Sequence, residues 1–377
     1  VSAVYQKCLS TLVLASMVVG GLLAPLAPAL AAQQTVDNNV VTSTTRHNIL
    51  GAATVWVSDQ VGYKFYVDST NFCVYTKTIN GGTAWSAAVN IDSHVTNCFS
   101  VTVWYDKWTP GDSGDYIHIL THDTTVDHLW YNRLDTTNDE RLLAATPVDI
   151  STNSGQTGTI SAGANNGSIT KATNGILYAV MNDNTDRYVV ECSSNCGVTT
   201  SWTETGNGTH LDAQPDFSLL MPLADGDILL INRDISADDI RSKVWDDNGG
   251  GVGSWSGAWT AVNANAPEIA TYDPAFAATV DVNSGDIYLA YVDVAGGALG
   301  GANDDVRTAT YSAGTWTNNT DVITNSTRGL TGVAIGTDSN TGDIYVGYSG
   351  QPTAGALANA NVYWKSSADG MTTWGAE

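Results

Sequence analysis

The sequence predicts an all-β protein, a six-bladed β-propeller of four-stranded antiparallel blades, on three observations. Trp85, Trp202, Trp259, Trp316 and Trp374 are separated by 117, 57, 57 and 58 residues, and 117 is close to twice 58. A second motif recurs upstream of each Trp: Gly285-Asp286-Ile287-Tyr288-Leu289-Ala290-Tyr291 returns as Gly342-Asp343-Ile344-Tyr345-Val346-Gly347-Tyr348. The composition is that of a turn-rich chain, with 37 Gly and 38 acidic residues of which only five are Glu. Asp favours turns where Glu favours helices. Self-similarity at a fixed period is the mark of a repeat architecture.

Residues 1–31 read as a signal peptide and 32–377 as the propeller. Lys7 precedes an apolar run, Thr11 to Leu30, that closes on Ala29-Leu30-Ala31, a small-x-small cleavage pattern. The remaining 346 residues hold about six periods of the Trp spacing. The one absent Trp falls near residue 143, at Arg141-Leu142-Leu143. Weaker copies of the second motif begin at Gly226, Gly175, Gly114 and Gly62, which brings the copies to six.

Each copy is a β-rich run opened by a turn glycine, as in Asn283-Ser284-Gly285. A third strand follows in every unit: Val74 to Thr78, Leu129 to Arg133, Tyr188 to Cys192, Ile240 to Trp245, Val306 to Tyr311 and Val362 to Ser366. Apolar runs such as Ala275 to Val280 and Leu330 to Ile335 supply the first strand, and a Trp-led segment the fourth. Four-stranded units repeated six times describe a propeller. The chain stops three residues after Trp374, so residues such as Asn39 to Thr45 are expected to supply the last outer strand.

Four cysteines remain after residue 31. In an oxidising compartment they pair as Cys192 with Cys196 across a tight turn, and Cys73 with Cys98. The net charge of −23 repels phosphate backbones and anionic lipids, so nucleic acid is not an expected partner. No stretch after residue 31 is long and apolar enough to span a membrane. The expectation is a secreted or cell-surface monomer.

The turns before the tryptophans resemble the Asp-box of bacterial sialidases and related propellers. Ser367-Ala368-Asp369-Gly370-Met371-Thr372-Thr373-Trp374 keeps the Ser, Asp, Thr and Trp, with Met371 where the family has Gly. Thr78-Ile79-Asn80-Gly81-Gly82-Thr83-Ala84-Trp85 keeps the Gly and Trp, and Ser193 to Trp202 is a longer version. The box is a folding device: its Asp or Asn bonds turn amides while the Trp packs between sheets.

Function is sought on the rim that carries the second-to-third-strand loops and the connections between blades. Arg46, Arg187, Arg233, Arg241, Arg307 and Arg328 are assigned there, with His94, His122, His128, His210 and many Asp. Arginine forks carboxylates in a bidentate manner, which points to an anionic sugar. The competing reading pairs each Arg with a neighbouring Asp to hold its loop. The sialidase resemblance implies a three-arginine clamp, here Arg46, Arg241 and Arg307 with Arg233 nearby. It also implies an acid/base Asp68 and a nucleophile Tyr348, with Glu268 as the carboxylate partner. The first-blade Arg-Ile-Pro motif of that family is absent, since His47 and Asn48 follow Arg46. The sequence therefore favours a glycan- or protein-binding propeller. A sialidase-like glycoside hydrolase acting on carboxylate-bearing sugars is the alternative.

No cofactor or metal motif is present. His122 and His128 read as solvated loop histidines. Asp281 to Asp286 and Asp338 to Asp343 read as hairpin turns, with calcium the one ion they would suit.

Overall fold

The computed structural model describes residues 35–36, 53–93, 97–123, 128–142, 146–151, 167–182, 187–206, 211, 217–234, 239–249, 253–263, 276–293, 304–326, 329–350 and 361–377. All its strands lie within one compact unit, Val36–Glu377. Six antiparallel sheets follow one another along the chain as the blades of a propeller.

Blade 1 is β1 (Thr54–Trp56), β2 (Gly62–Val67), β3 (Cys73–Thr78) and β4 (Val89–Asn90). Blade 2 is β5 (Cys98–Tyr105), β6 (Tyr116–Asp123), β7 (His128–Asp135) and β8 (Glu140–Arg141), with β9 (Val148–Asp149) also on β7. Blade 3 is β10 (Ser168–Lys171), β11 (Leu177–Asn182), β12 (Arg187–Cys192) and β13 (Thr203–Glu204). Blade 4 is β14 (Phe217–Pro222), β15 (Ile228–Asp234), β16 (Asp239–Asp246) and β17 (Ser254–Trp255), with β18 (Thr260–Asn263) on β16. Blade 5 is β19 (Phe276–Val280), β20 (Ile287–Asp293), β21 (Asp304–Ser312) and β22 (Thr315–Asn318), with β23 (Ile323–Ser326) on β21. Blade 6 is β24 (Leu330–Thr337), β25 (Ile344–Gly350) and β26 (Asn361–Ser367).

Two details differ from the sequence reading. The fourth strand is not one Trp-led run: blades 2, 4 and 5 cover the third strand with two short pieces, and of the five repeat tryptophans only Trp316 lies in a strand. Blade 6 has three strands among the described residues. Its outer edge begins with Gly375 N donating to Ser366 O at 2.8 Å, and Asn39 to Thr45 lie outside the described residues.

Alternating side chains bury one face of each blade against the previous blade and the other against the next. Val67, Tyr75 and Phe65 of blade 1 pack with Val101, Ile117 and Ile119 of blade 2. Tyr178, Val180 and Val189 of blade 3 pack with Leu220, Ile228, Leu230 and Trp245 of blade 4. Ala290 and Val306 of blade 5 pack with Val333, Val346 and Tyr348 of blade 6. Both expected disulfides form. Cys73–Cys98 ties the start of β3 to the start of β5, and Cys192–Cys196 closes the turn after β12.

The turns Ser367 to Trp374 and Thr78 to Trp85 carry the hydrogen bonds their residues imply. Asp369 Oδ1 accepts from Thr373 N at 2.9 Å and from Ser367 Oγ at 2.8 Å, while Met371 N donates to Ser367 Oγ at 2.9 Å. Blade 1 repeats the pattern, with Ala84 N on Asn80 Oδ1 at 2.9 Å and Gly82 N on Thr78 Oγ1 at 3.0 Å. Met371 occupies the place of Gly82 and shares its left-handed backbone, φ +67° against +82°. Trp374 Nε1 then reaches across to Thr320 O of blade 5 at 2.8 Å.

Candidate functional site

Antiparallel order puts the first-to-second-strand turns on one end of every blade and the second-to-third-strand loops on the other. The first end is the hairpin face and the second the upper rim. Asp68, Arg187, Arg233, Arg241 and Arg307 all stand at strand ends of the upper rim, as the sequence assigned them. Arg46, Arg328, Glu268, His94 and His210 lie outside the described residues.

Side-chain parity then sorts the arginines into two clefts. Arg187 shares a face of β12 with Val189, which packs on blade 4, and Arg241 shares a face of β16 with Trp245, which packs on blade 3. Both guanidinium groups therefore enter the upper cleft between blades 3 and 4, as do Asn232 and Asp234 of β15. Arg233 is one residue out of phase and faces blade 5. Arg307, opposite Tyr291, faces blade 4. The geometry thus splits the expected trio, with Arg241 and Arg307 in neighbouring clefts.

The two clefts differ in charge balance. In the cleft between blades 4 and 5, Arg307 is held by Asp293 at 2.8 Å and Asp305 at 3.0 Å, with Asp321 at 3.8 Å. Burial lowers its pKa, but these carboxylates outweigh that and raise it. This is the loop-holding arrangement. In the cleft between blades 3 and 4, Arg241 binds Asp234 at 2.6 Å and lies 4.5 Å above the centre of the Trp259 ring. Burial, and then the positive charge of Arg187, push Arg241 down to about 10. Arg187 is wholly buried. The described residues thus bring Arg187 and Arg241 together with Asp234 at the upper end of this junction.

The other expected site residues take local roles. Asp68 Oδ1 accepts from the backbone N–H of Thr70 and of Phe72, both at 2.9 Å, so it caps its own β2–β3 loop. Tyr348 is 1% exposed in the core between blades 5 and 6 and stacks on Tyr363. Its hydroxyl donates to Glu377 on the outer side of β26, away from the inner strand of the blade. Glu377, passed over in the sequence reading in favour of Glu268, is thus a carboxylate that meets Tyr348 among the described residues. Asp281 and Asp338 are engaged by the amides of their own turns: Asn283 N on Asp281 at 3.0 Å and Asn340 N on Asp338 at 2.8 Å.

His122 overturns its expectation. It lies in β6 rather than in a loop and is wholly buried, with Phe99 against its ring. Burial pushes its pKa down to about 4, so the imidazole is neutral. His128 is the partly exposed one, and its Nδ1 stands 2.9 Å from Asp149. Register parity is the signal that finds both the Arg187–Arg241 pairing and the burial of His122. It requires strand pairing, which spacing alone does not supply.

No family model matches the chain, and no curated protein matches it. Among solved structures it is similar to a protein of unknown function from Dyadobacter fermentans, with a TM-score of 0.52 at 13% identity over 89% of this chain and 98% of that one. It is similar to an ulvan lyase of polysaccharide lyase family PL25, solved with a bound GlcA–Rha3S saccharide (TM-score 0.51, 12% identity, 87% and 83% coverage). It is also similar to the intramolecular trans-sialidase from Ruminococcus gnavus, solved with oseltamivir carboxylate (TM-score 0.50, 10% identity, 86% and 94% coverage). By fold, this chain stands beside the sialidase-like and polysaccharide lyase propellers.

Proposed function

We propose that the chain is an exported carbohydrate-binding propeller that recognises carboxylate-bearing glycans in the upper cleft between blades 3 and 4. The observation that carries this reading is the convergence of Arg187 and Arg241 there on a chain of net charge −23; burial, and after it the charge of Arg187, lowers Arg241 to about 10. An incoming carboxylate relieves that mutual repulsion and takes up the guanidinium fork of Arg241, while Trp259 offers an aromatic edge to the cleft. Two of the similar structures are a polysaccharide lyase and a trans-sialidase, each solved with a carboxylate-bearing ligand. Residues 1–31 provide the export signal, and the two disulfides suit an oxidising compartment.

The alternative is a glycoside hydrolase of sialidase type, and the Tyr348–Glu377 contact is the observation in its favour. Against it stand the burial of Tyr348 and the engagement of Asp68 by its own loop. A glycan array with uronate, sialoside and neutral sections, read beside release of a fluorophore from a sialoside, separates the two. Binding confined to carboxylated glycans, without turnover and lost in Arg241→Ala, supports the binding module. Turnover abolished by Tyr348→Phe supports the hydrolase. Neutral glycans bound as well as acidic ones refute the anion reading.

A further inference from the structure

The hairpin face at the junction of blades 3 and 4 carries carboxylates that the upper-rim reading does not use. Asp227 directly precedes β15, Asp246 ends β16 and Asp247 follows it. One carboxylate oxygen from each lies within 4.8 Å of the others. Oxygens bound to a single Ca²⁺ at about 2.3–2.6 Å stand at most about 5 Å apart, so one ion fits all three. Glu191 of β12 brings a fourth carboxyl close enough for Asp247 to act on it. Hydrogen bonds fix the three groups in place: Asp227 Oδ1 accepts from Asp247 N at 3.1 Å, and Asp246 Oδ1 and Asp247 Oδ1 accept from Asn248 N and Gly249 N, each at 2.8 Å.

A second, independent observation points into the same place. Tyr178 of β11 is wholly buried on the face turned to blade 4, and among the described residues its hydroxyl meets no group in hydrogen-bonding geometry. Asp247 and Asp227 are among the charges acting on that hydroxyl. Trp245 Nε1 is also buried without a partner, and both it and Glu191 stand close to the Tyr178 hydroxyl outside hydrogen-bonding geometry. Buried polar groups left unmet in this way are uncommon, and each asks for a ligand or an ordered water. A hydrated cation meets both needs at once: its charge offsets the carboxylates and its water oxygens accept from the O–H and N–H.

We propose that Asp227, Asp246 and Asp247 bind one Ca²⁺ ion at the hairpin end of the junction between blades 3 and 4, with an aqua ligand serving Tyr178 and Trp245. Calcium is chosen over magnesium because its coordination is flexible, whereas Mg²⁺ demands a near-ideal octahedron that two irregular turns do not offer. Asp246 is exposed and leaves an entry, while Asp247 is buried. Asn174 of blade 3 already reaches Asp247 and, at 3.3 Å, Gly226 O. The ion therefore fastens the lower end of the junction whose upper end holds Arg187 and Arg241.

The test uses Tb³⁺ as a luminescent stand-in for Ca²⁺, excited through Trp245 and Trp255, whose rings are 5.4 Å apart. Wild type gives a saturable signal that Ca²⁺ displaces at up to about 10 mM, the weak end of extracellular calcium sites being about 1 mM. Saturating Ca²⁺ also raises Tm by about 3 °C, and Mg²⁺ does less. Asp227→Asn loses both responses, yet in metal-free buffer it melts no lower than wild type because it removes a like-charge contact. Asp281→Asn, in a hairpin turn of blade 5, keeps both. A wild type with no saturable signal overturns the proposal, and so does an Asp227→Asn protein that retains the full calcium shift.

Discussion

Replacing Met371 by glycine restores the residue that the Asp-box resemblance leads one to expect, and the structure predicts that this restoration is harmful. The backbone at Met371 is left-handed, φ +67°, which costs a side-chain-bearing residue about 1 kcal/mol relative to Gly. The Met side chain is wholly buried, and Asn319 Nδ2 stands 3.8 Å from its sulfur. Removing a buried Met costs about 3 kcal/mol, counting the transfer of its apolar surface and the cavity left behind. The balance is a loss of about 2 kcal/mol for Met371→Gly, and about 3 for Met371→Ala, which keeps the backbone strain and loses the packing. For a domain of this length, melting as one unit, 2 kcal/mol lowers Tm by about 3 °C. Scanning calorimetry at one scan rate should rank wild type above Met371→Gly above Met371→Ala. A Met371→Gly protein as stable as wild type would refute the reasoning, since burial would then not outweigh the backbone.

Three further outcomes are expected. Asp106 is buried beneath His118 at 2.9 Å and Lys171 at 2.8 Å; burial alone would raise its pKa, but these partners hold it at about 2. Its stabilising effect is present above the ordinary Asp range and is lost as pH falls toward 2; an acid titration followed by circular dichroism should show that loss blunted in Asp106→Asn. That variant is also weaker at pH 7, by about 2 kcal/mol, because it takes from buried His118 its carboxylate acceptor and from Lys171 one of its two carboxylate partners, Asp112 remaining at 2.8 Å. Loop-closure entropy predicts that removing Cys73–Cys98, which spans 25 residues, costs about 3.5 kcal/mol, and removing Cys192–Cys196, which spans 4, about 2; urea midpoints of the paired Cys→Ser variants check the order. Trp202→Ala costs about 4 kcal/mol, whereas Trp364→Ala, at a site 58% exposed, stays within about 0.5, as thermal melts of the two would show.

Much of the ring was legible because each blade writes its second and third strands in the same local code. A turn glycine such as Gly285 or Gly342 needs φ of +78°, and the β-branched and aromatic run behind it can only be a half-buried strand. The third strands accordingly fall within two residues of expectation, as at Arg187–Cys192 and Asp239–Asp246. The site was less legible for a reason of parity. Arg233 and Arg241 look equivalent in sequence, yet one residue of phase sends the first toward blade 5 and the second toward blade 3. Likewise His118 and His122 lie four residues apart on one strand, and the first has both nitrogens engaged, by Asp106 and Tyr131, while the second has Phe99 against its ring and no hydrogen bond among the described residues. Such differences depend on which neighbour each blade turns to them, and a single sequence does not carry that. The Asp227–Asp246–Asp247 group was hidden for the same reason, since its members belong to two turns that only the sheet brings together.

The most direct test of the carboxylate cleft is calorimetric titration of one polyuronate before and after chemical reduction of its carboxyl groups to alcohols. The expected result is saturable binding of the native polymer, none of the reduced polymer, and none of either by an Arg187→Ala/Arg241→Ala protein that melts cooperatively. Undiminished binding of the reduced polymer, or of the native polymer by the double variant, would contradict the assignment.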